Sequence, residues 1–259
     1  PAAGARVAII IDDLGPAHAW SARAIALPGP LTMSFLPYAE DLAGQTGDAR
    51  RRGHEIFLHM PMQPLGDANP GKNALRPGMS AADIRERVEW AIDRVGSPVG
   101  MNNHMGSRMT AAARAMQVVM DVLRGRGLMF VDSRTSPKSV AEGVAAEAGL
   151  AHTGRDVFLD HFPGTAFVRH QLAEVEARAR RTGSAVAIGH PLPATMEVLE
   201  GWIPAAKARG LRFVKVSELI AARGCGGDTA ASKCGLLHVA GQRPGGDDGG
   251  RSRTPAGGG

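Results

Sequence analysis

Val7-Ala8-Ile9-Ile10-Ile11-Asp12-Asp13-Leu14-Gly15 is the stretch on which the reading of this chain turns. Five consecutive apolar residues, most of them β-branched, suit a strand buried on both faces, as in a parallel sheet or barrel. Two adjacent carboxylates stand where that strand should end, and Gly15-Pro16 then opens a turn. Side chains alternate across a strand, so both acids reach one pocket only if the backbone bends there. Like charges held together out of water need a cation, a shared proton or water between them. An isolated Asp-Asp turn more often caps a helix, and one is expected here from about Ala17. Residues further along the chain decide between the two.

Working outward, apolar runs alternate with helix-period stretches as far as Arg223. Further strands are expected at Leu31–Leu36, Glu55–His59, Val99–His104, Leu128–Val131, Val157–Asp160, Ser184–Gly189 and Arg212–Val216, with helices between most of them. Ser80, with Asp83 three residues on, reads as the N-cap of a helix whose buried face is Ile84, Val88, Ala91, Ile92 and Val95. About eight strand-helix units with short links predict an α/β fold, a (β/α) barrel or a doubly wound sheet. Both architectures place chemistry at the carboxyl ends of their strands. Residues 1–223 are read as one domain. Residues 224–259, rich in Gly and nearly devoid of core-forming side chains, are read as a disordered tail. Both cysteines, Cys225 and Cys234, fall in it at a spacing that fits no common zinc motif.

The net charge of +5 is scattered, with no basic run, and aromatics make up only 4% of the chain. That combination argues against nucleic acid as a partner and against an extended sugar-stacking platform. No run of 18 apolar residues reads as a membrane span. The sequence opens at Pro1 and not at Met, which leaves export open. The expectation is a periplasmic or exported protein, with a cytoplasmic one as the alternative.

Asp12, Asp13, His59, Asn102, Asn103, His104, Asp132, Ser133, Asp160 and His190 all fall at the carboxyl ends of expected strands. In a barrel they meet at one mouth. Any one of them alone is an ordinary loop residue; their coincidence at one level is the signal. One carboxylate with two neutral imidazoles makes an open divalent-metal site of the kind zinc favours, and Asp13, His59 and His104 supply it. Asp12 beside that metal would serve as general base and His190 as general acid. Asn102 and Asn103 are read as turn or supporting residues, and Asp132 and Asp160 as orienting His190 or His59. His54 lies at the start of its strand, the wrong end, and His152 and His161 are taken as ordinary loop or surface residues.

The ordered segments IIIDDLG, GHEIFLHMPMQP, GMNNHMGSRMT, FVDSRT and IGHPLPAT resemble the divergent polysaccharide deacetylases, a branch of the NodB-like carbohydrate esterases. The resemblance covers roughly residues 5–222. It implies a distorted (β/α) barrel of about seven strands and a zinc-type hydrolase. In it Asp12 is the base, Asp13, His59 and His104 the ligands, and His190 the acid. Ordinary members carry a second histidine four residues after the first, where this chain has Gln63. His104 supplies the second imidazole from the segment where relatives carry an Arg-Pro-Pro-aromatic motif. The resulting expectation is a metal-dependent hydrolase removing an N- or O-acetyl group from an envelope saccharide. The alternative is a non-catalytic metal- and saccharide-binding protein derived from the same fold.

Overall fold

The computed structural model describes residues 4–224. The tail expectation falls on residues 225–259, as do both cysteines, and lies outside the described residues. Among the described residues there are nine strands and eight α-helices, alternating except where β7 follows β6 directly. The strands are β1 (Arg6–Leu14), β2 (Thr32–Phe35), β3 (Glu55–Met62), β4 (Gly100–Met105), β5 (Met129–Asp132), β6 (His152–Gly154), β7 (Val157–Phe158), β8 (Ser184–Gly189) and β9 (Arg212–Phe213). The helices are α1 (His18–Ile25), α2 (Leu42–Arg51), α3 (Ala81–Val95), α4 (Ala113–Gly125), α5 (Ala141–Glu147), α6 (Thr165–Thr182), α7 (Pro193–Ala208) and α8 (Val216–Gly224).

All the strand pairs are parallel, in the order β6-β5-β4-β3-β2-β1-β8-β7, with β9 against β1. The two outermost strands, β6 and β7, are separated in the chain by only Arg155 and Asp156. So short a link spans no more than about 10 Å. The sheet must therefore curl until its two edges almost meet, a distorted and incompletely hydrogen-bonded barrel. Arg223 on α8 fastens this seam, donating to Ser184 on β8, Thr153 on β6 and the Asp156 carboxylate.

Alternation across the strands sorts the core into two shells. Val7, Ile9 and Ile11 of β1, with Ile56, Leu58 and Met60 of β3, point outward under the helices. Ala8 and Ile10, Phe57, Val131, Val186 and Ile188 point inward, where Val216, Leu219 and Ile220 of α8 plug the amino end. Continuing that inward row by two residues reaches Asp12 on β1 and His59 on β3. The apolar filling of the barrel thus gives way to polar side chains at the carboxyl end.

The Ser80 cap holds as read, its hydroxyl accepting from the Asp83 amide at 3.1 Å. Four segments differ from expectation. The strand expected at Glu55–His59 runs on through Pro61 to Met62, still paired to β4. The strand at Val157 stops at Phe158, and the one at Arg212 stops at Phe213, because α8 begins at Val216. His152–Gly154 is a strand although its sequence, His-Thr-Gly, has no apolar pattern to reveal it.

Candidate metal centre and active site

The bend demanded by adjacent acids is built into β1. Its pairing with β2 shifts register between Ile11 and Leu14, a bulge, and Asp13 takes a left-handed φ of 56°. Bulges of this kind re-aim side chains at functional sites, and a non-glycine residue there carries roughly 1–2 kcal/mol of strain. Gly15 follows with φ 114°, its Cα so close to Ala39 that any Cβ would collide at 2.5 Å. Asp12 stays inside the barrel, 2% exposed, while Asp13 turns toward the mouth, 35% exposed at the side chain.

Asp13, His59 and His104 each bring a ligating atom within 4.8 Å of the other two. His104 Nδ1 lies 2.8 Å and His59 Nε2 3.2 Å from Asp13 Oδ1. That oxygen is nevertheless buried without a hydrogen bond, since neither imidazole presents a proton to it in good geometry. A buried carboxylate oxygen with two imidazole nitrogens crowded against it is what a metal ion held by all three would explain. Burial opposes the Asp13 charge, but His104 and His59 outweigh it and hold the carboxyl well below the usual range.

Asn102 orders the rest of the cluster. Its amide nitrogen donates to both Asp12 oxygens, at 2.8 and 3.0 Å. Its carbonyl oxygen accepts from Ser34 Oγ at 2.6 Å and faces His59 Nδ1 at 2.9 Å. The His59 proton therefore belongs on Nδ1, leaving Nε2 and its lone pair toward Asp13. Burial raises the Asp12 pKa, more than the nearby His59 and His190 lower it, so the group is poised to take up a proton. For His59 the order reverses: burial disfavours the cation, yet Asp12 and Asp13 raise its pKa. The same two negative charges that attract a proton to this ring attract a divalent cation beside it.

His190 approaches from the opposite side, Nε2 at 3.9 Å from Asp13 Oδ2. Asp160 fixes it twice, accepting from the His190 backbone N–H at 2.6 Å and bonding Nδ1 at 2.9 Å. Thr195, in the first turn of α7, donates to the same carboxylate at 2.8 Å. Although burial works against the imidazolium, the Asp160 bond prevails and pushes the His190 pKa up to about 9. Asp160 thus sits where an orienting partner of His190 was expected.

Asp132 does not act that way. Its carboxylate accepts from the Arg134 N–H and the Ser139 hydroxyl, closing its own loop and reaching neither histidine. Asn103 is likewise a loop tie, donating to Met105 O and accepting from Ser133 N, and at 1% exposed it offers nothing to a substrate. Gln63, where the resemblance placed a second histidine, is a backbone junction bonded to Leu75, Arg108 and Met109. Ser34, Thr195 and Tyr38 were not singled out from the sequence. Ser34 was findable, since it occupies the inward position of β2 one strand from Asp12. Burial and the Asp13 charge raise the Tyr38 phenol, placing it in the field of the site.

The sequence of residues 9–220 matches the family described as divergent polysaccharide deacetylase. The chain belongs to that family. It is 39% identical over 198 residues to a protein of Haemophilus influenzae described as uncharacterized, covering 76% of this chain and 71% of that one. An Escherichia coli relative, the uncharacterized protein YibQ, is 38% identical over 200 residues, 77% of this chain but 63% of its own length. The chain superposes on the crystal structure of uncharacterized protein ATU2773 from Agrobacterium tumefaciens with a TM-score of 0.81. Identity there is 32%, covering 84% of this chain and 90% of the other. A structure titled T48 deacetylase with substrate gives a TM-score of 0.52 at 15% identity, covering 85% and 92% of the two chains, which shows a shared fold. Among the described residues no helix is long and apolar enough to cross a membrane.

Proposed function

We propose that the chain is a zinc-dependent hydrolase that removes an N- or O-acetyl group from a saccharide of the cell envelope. The observation that carries the reading is the buried, unbonded Asp13 Oδ1 between two imidazole nitrogens, with the buried acid Asp12 and a third histidine, His190, beside it. Asp13, His59 and His104 would hold the ion, and their mixed oxygen and nitrogen donors suit zinc. Bound there, a zinc ion supplies Lewis-acid polarisation of the acyl carbonyl and lowers the pKa of water.

The protein's own residues do the proton work. Asp12 takes the proton of the attacking water, its carboxylate aimed by the two Asn102 bonds and its basicity raised by burial. His190 holds a proton on Nε2, because Asp160 engages Nδ1 and favours the imidazolium, and gives it to the departing amine or alkoxide. The saccharide assignment is supported by the family to which the chain belongs.

Acetate release tests the reading, measured with zinc on acetylated chitooligosaccharides and peptidoglycan fragments. Release by the wild type and its loss in His190→Ala, with metal retained, is the expected result. Saccharide binding without acetate release from any substrate would instead establish the non-catalytic alternative.

A further inference from the structure

One face of α6 is left uncovered. Phe167, Gln171, Glu174, Arg178 and Arg181, spaced four, three, four and three residues apart, line a groove of about 620 Å³. Its opposite wall is the seam segment Arg155–Phe158. The spacing puts all five side chains on one stripe, which extends about 21 Å from Phe167 to Arg181.

The upper end of this groove adjoins the catalytic cluster. Phe158, in its wall, packs edge-on against His190 with ring centroids 5.5 Å apart. His161 and Phe162 continue the aromatic row, with Phe162 packed on Phe167 and still 58% exposed. So large an exposed aromatic beside a polar site, in a chain with few aromatics, is suited to cover one face of a sugar ring.

The groove's charges are unevenly compensated. Asp156 is spent on Arg178 at 2.9 Å, Arg223 at 2.7 Å and the Val186 amide at 2.9 Å. Arg178 still leaves its Nε buried without a partner. Arg155 lies over the Phe158 ring at 4.8 Å, and among the described residues its side chain bonds only the backbone carbonyls of Ser133 and Arg134. Among the described residues neither Arg155 nor Arg181 has a carboxylate within ion-pair distance. Glu174 is the one acid of the stripe, and it lies between Gln171 and Arg178.

From this juxtaposition we infer that the groove along α6 binds the acidic portion of an anionic acylated saccharide, one bearing a carboxylate or a phosphate. Phe162 covers a sugar ring, Arg155 and Arg181 receive the anion, and the acyl group extends past Phe158 to Asp12 and His190. The inference rests on the deacetylase reading for the direction in which the saccharide runs, but the anion site itself needs no metal.

The test is equilibrium binding to the full chain stripped of metal with chelator. Three probes are used: neutral N-acetylchitotetraose, a muramic-acid-containing disaccharide and N-acetylglucosamine 6-phosphate. At low salt the carboxylate or the phosphate probe binds about tenfold more tightly than the neutral one, and added salt erodes that preference. Whichever of the two is preferred identifies the anion. Arg181→Ala, on the exposed helix face, reduces anion binding by about five- to tenfold and leaves chitotetraose within about twofold. Arg155→Met acts in the same direction, and Glu174→Gln tightens anion binding. Equal affinity for all three probes, or an Arg181→Ala variant that keeps the full anion preference, overturns the inference. Neither outcome touches the deacetylase reading, which is decided by acetate release from the metal-loaded protein.

Discussion

Two buried histidines, His54 just before β3 and His59 five residues further on within it, each lie beside an acid, and the two behave in opposite ways. At the amino end, His54 Nδ1 accepts from the Leu31 N–H at 3.2 Å while Nε2 meets Ile25 O at 3.0 Å. Glu55 receives the Thr32 hydroxyl at 2.8 Å and the Ser217 N–H at 3.4 Å. Burial lowers the His54 pKa and raises that of Glu55, so both are driven toward neutrality. At the carboxyl end His59 is raised and Asp13 lowered, so both are driven toward charge. Burial is similar at the two histidines, 3% and 2% exposed, and cannot be the cause of the difference. What differs is the partner: backbone groups that satisfy a neutral ring below, clustered carboxylates and an unbonded oxygen above. At these two histidines it is the partners, and not burial, that separate a ring satisfied as a neutral group from one held charged beside an incompletely paired carboxylate.

The contrast breaks most visibly at the ligands. Asp13→Ala or His104→Ala is expected to abolish bound metal and reduce acetate release by more than about a thousandfold. The corresponding change below, His54→Ala, should leave metal content and turnover unaltered. His190→Ala comes next, with metal retained and turnover lowered by about 10²–10⁴-fold, read from kcat alongside elemental analysis.

Asn102→Ala sharpens the comparison at intermediate size, because one amide serves both Asp12 and His59. Metal affinity should weaken by about 10–100-fold, measured by chelator competition. Stability should fall by about 1–3 kcal/mol in urea, since the Asp12 carboxylate loses its donor.

The smallest expected effect belongs to the amino end and depends on pH. The folded His54 pKa lies below the ordinary 6.5, so between the two values the unfolded chain binds the additional proton. The His54 contribution is therefore whole above pH 6.5 and is lost as pH falls from 6.5 toward the folded value. Urea midpoints of wild type and His54→Gln should converge over that window, while a gap independent of pH would contradict the neutral-ring account.

Much of this was legible beforehand, for physical reasons that also explain the gaps. The run Val7–Ile11 has to be buried on both faces, and Asp12-Asp13 has to bend to serve one pocket; the structure meets that need with a bulge and a left-handed Asp13. Strand-end position sufficed to gather Asp13, His59 and His104, because parallel strands align their carboxyl ends. The same rule could not separate Asp160, which bonds His190, from Asp132, which bonds its own loop. Both sit at one level, and only the path of the following residues distinguishes them. Thr195 was hidden because it lies on a helix, and β6 because three residues without apolar alternation carry no strand signal. The Arg155 side chain bonds backbone carbonyls, which no pairing of charges along the sequence can disclose.

The most direct test of the metal centre is zinc titrated calorimetrically into chelator-stripped protein, wild type beside the isosteric Asp13→Asn. One tight site per chain in the wild type, lost or strongly weakened in the variant while the fold persists, is the predicted result. Equal zinc binding by both proteins, or none by the wild type, would contradict the assignment of Asp13, His59 and His104 as its ligands.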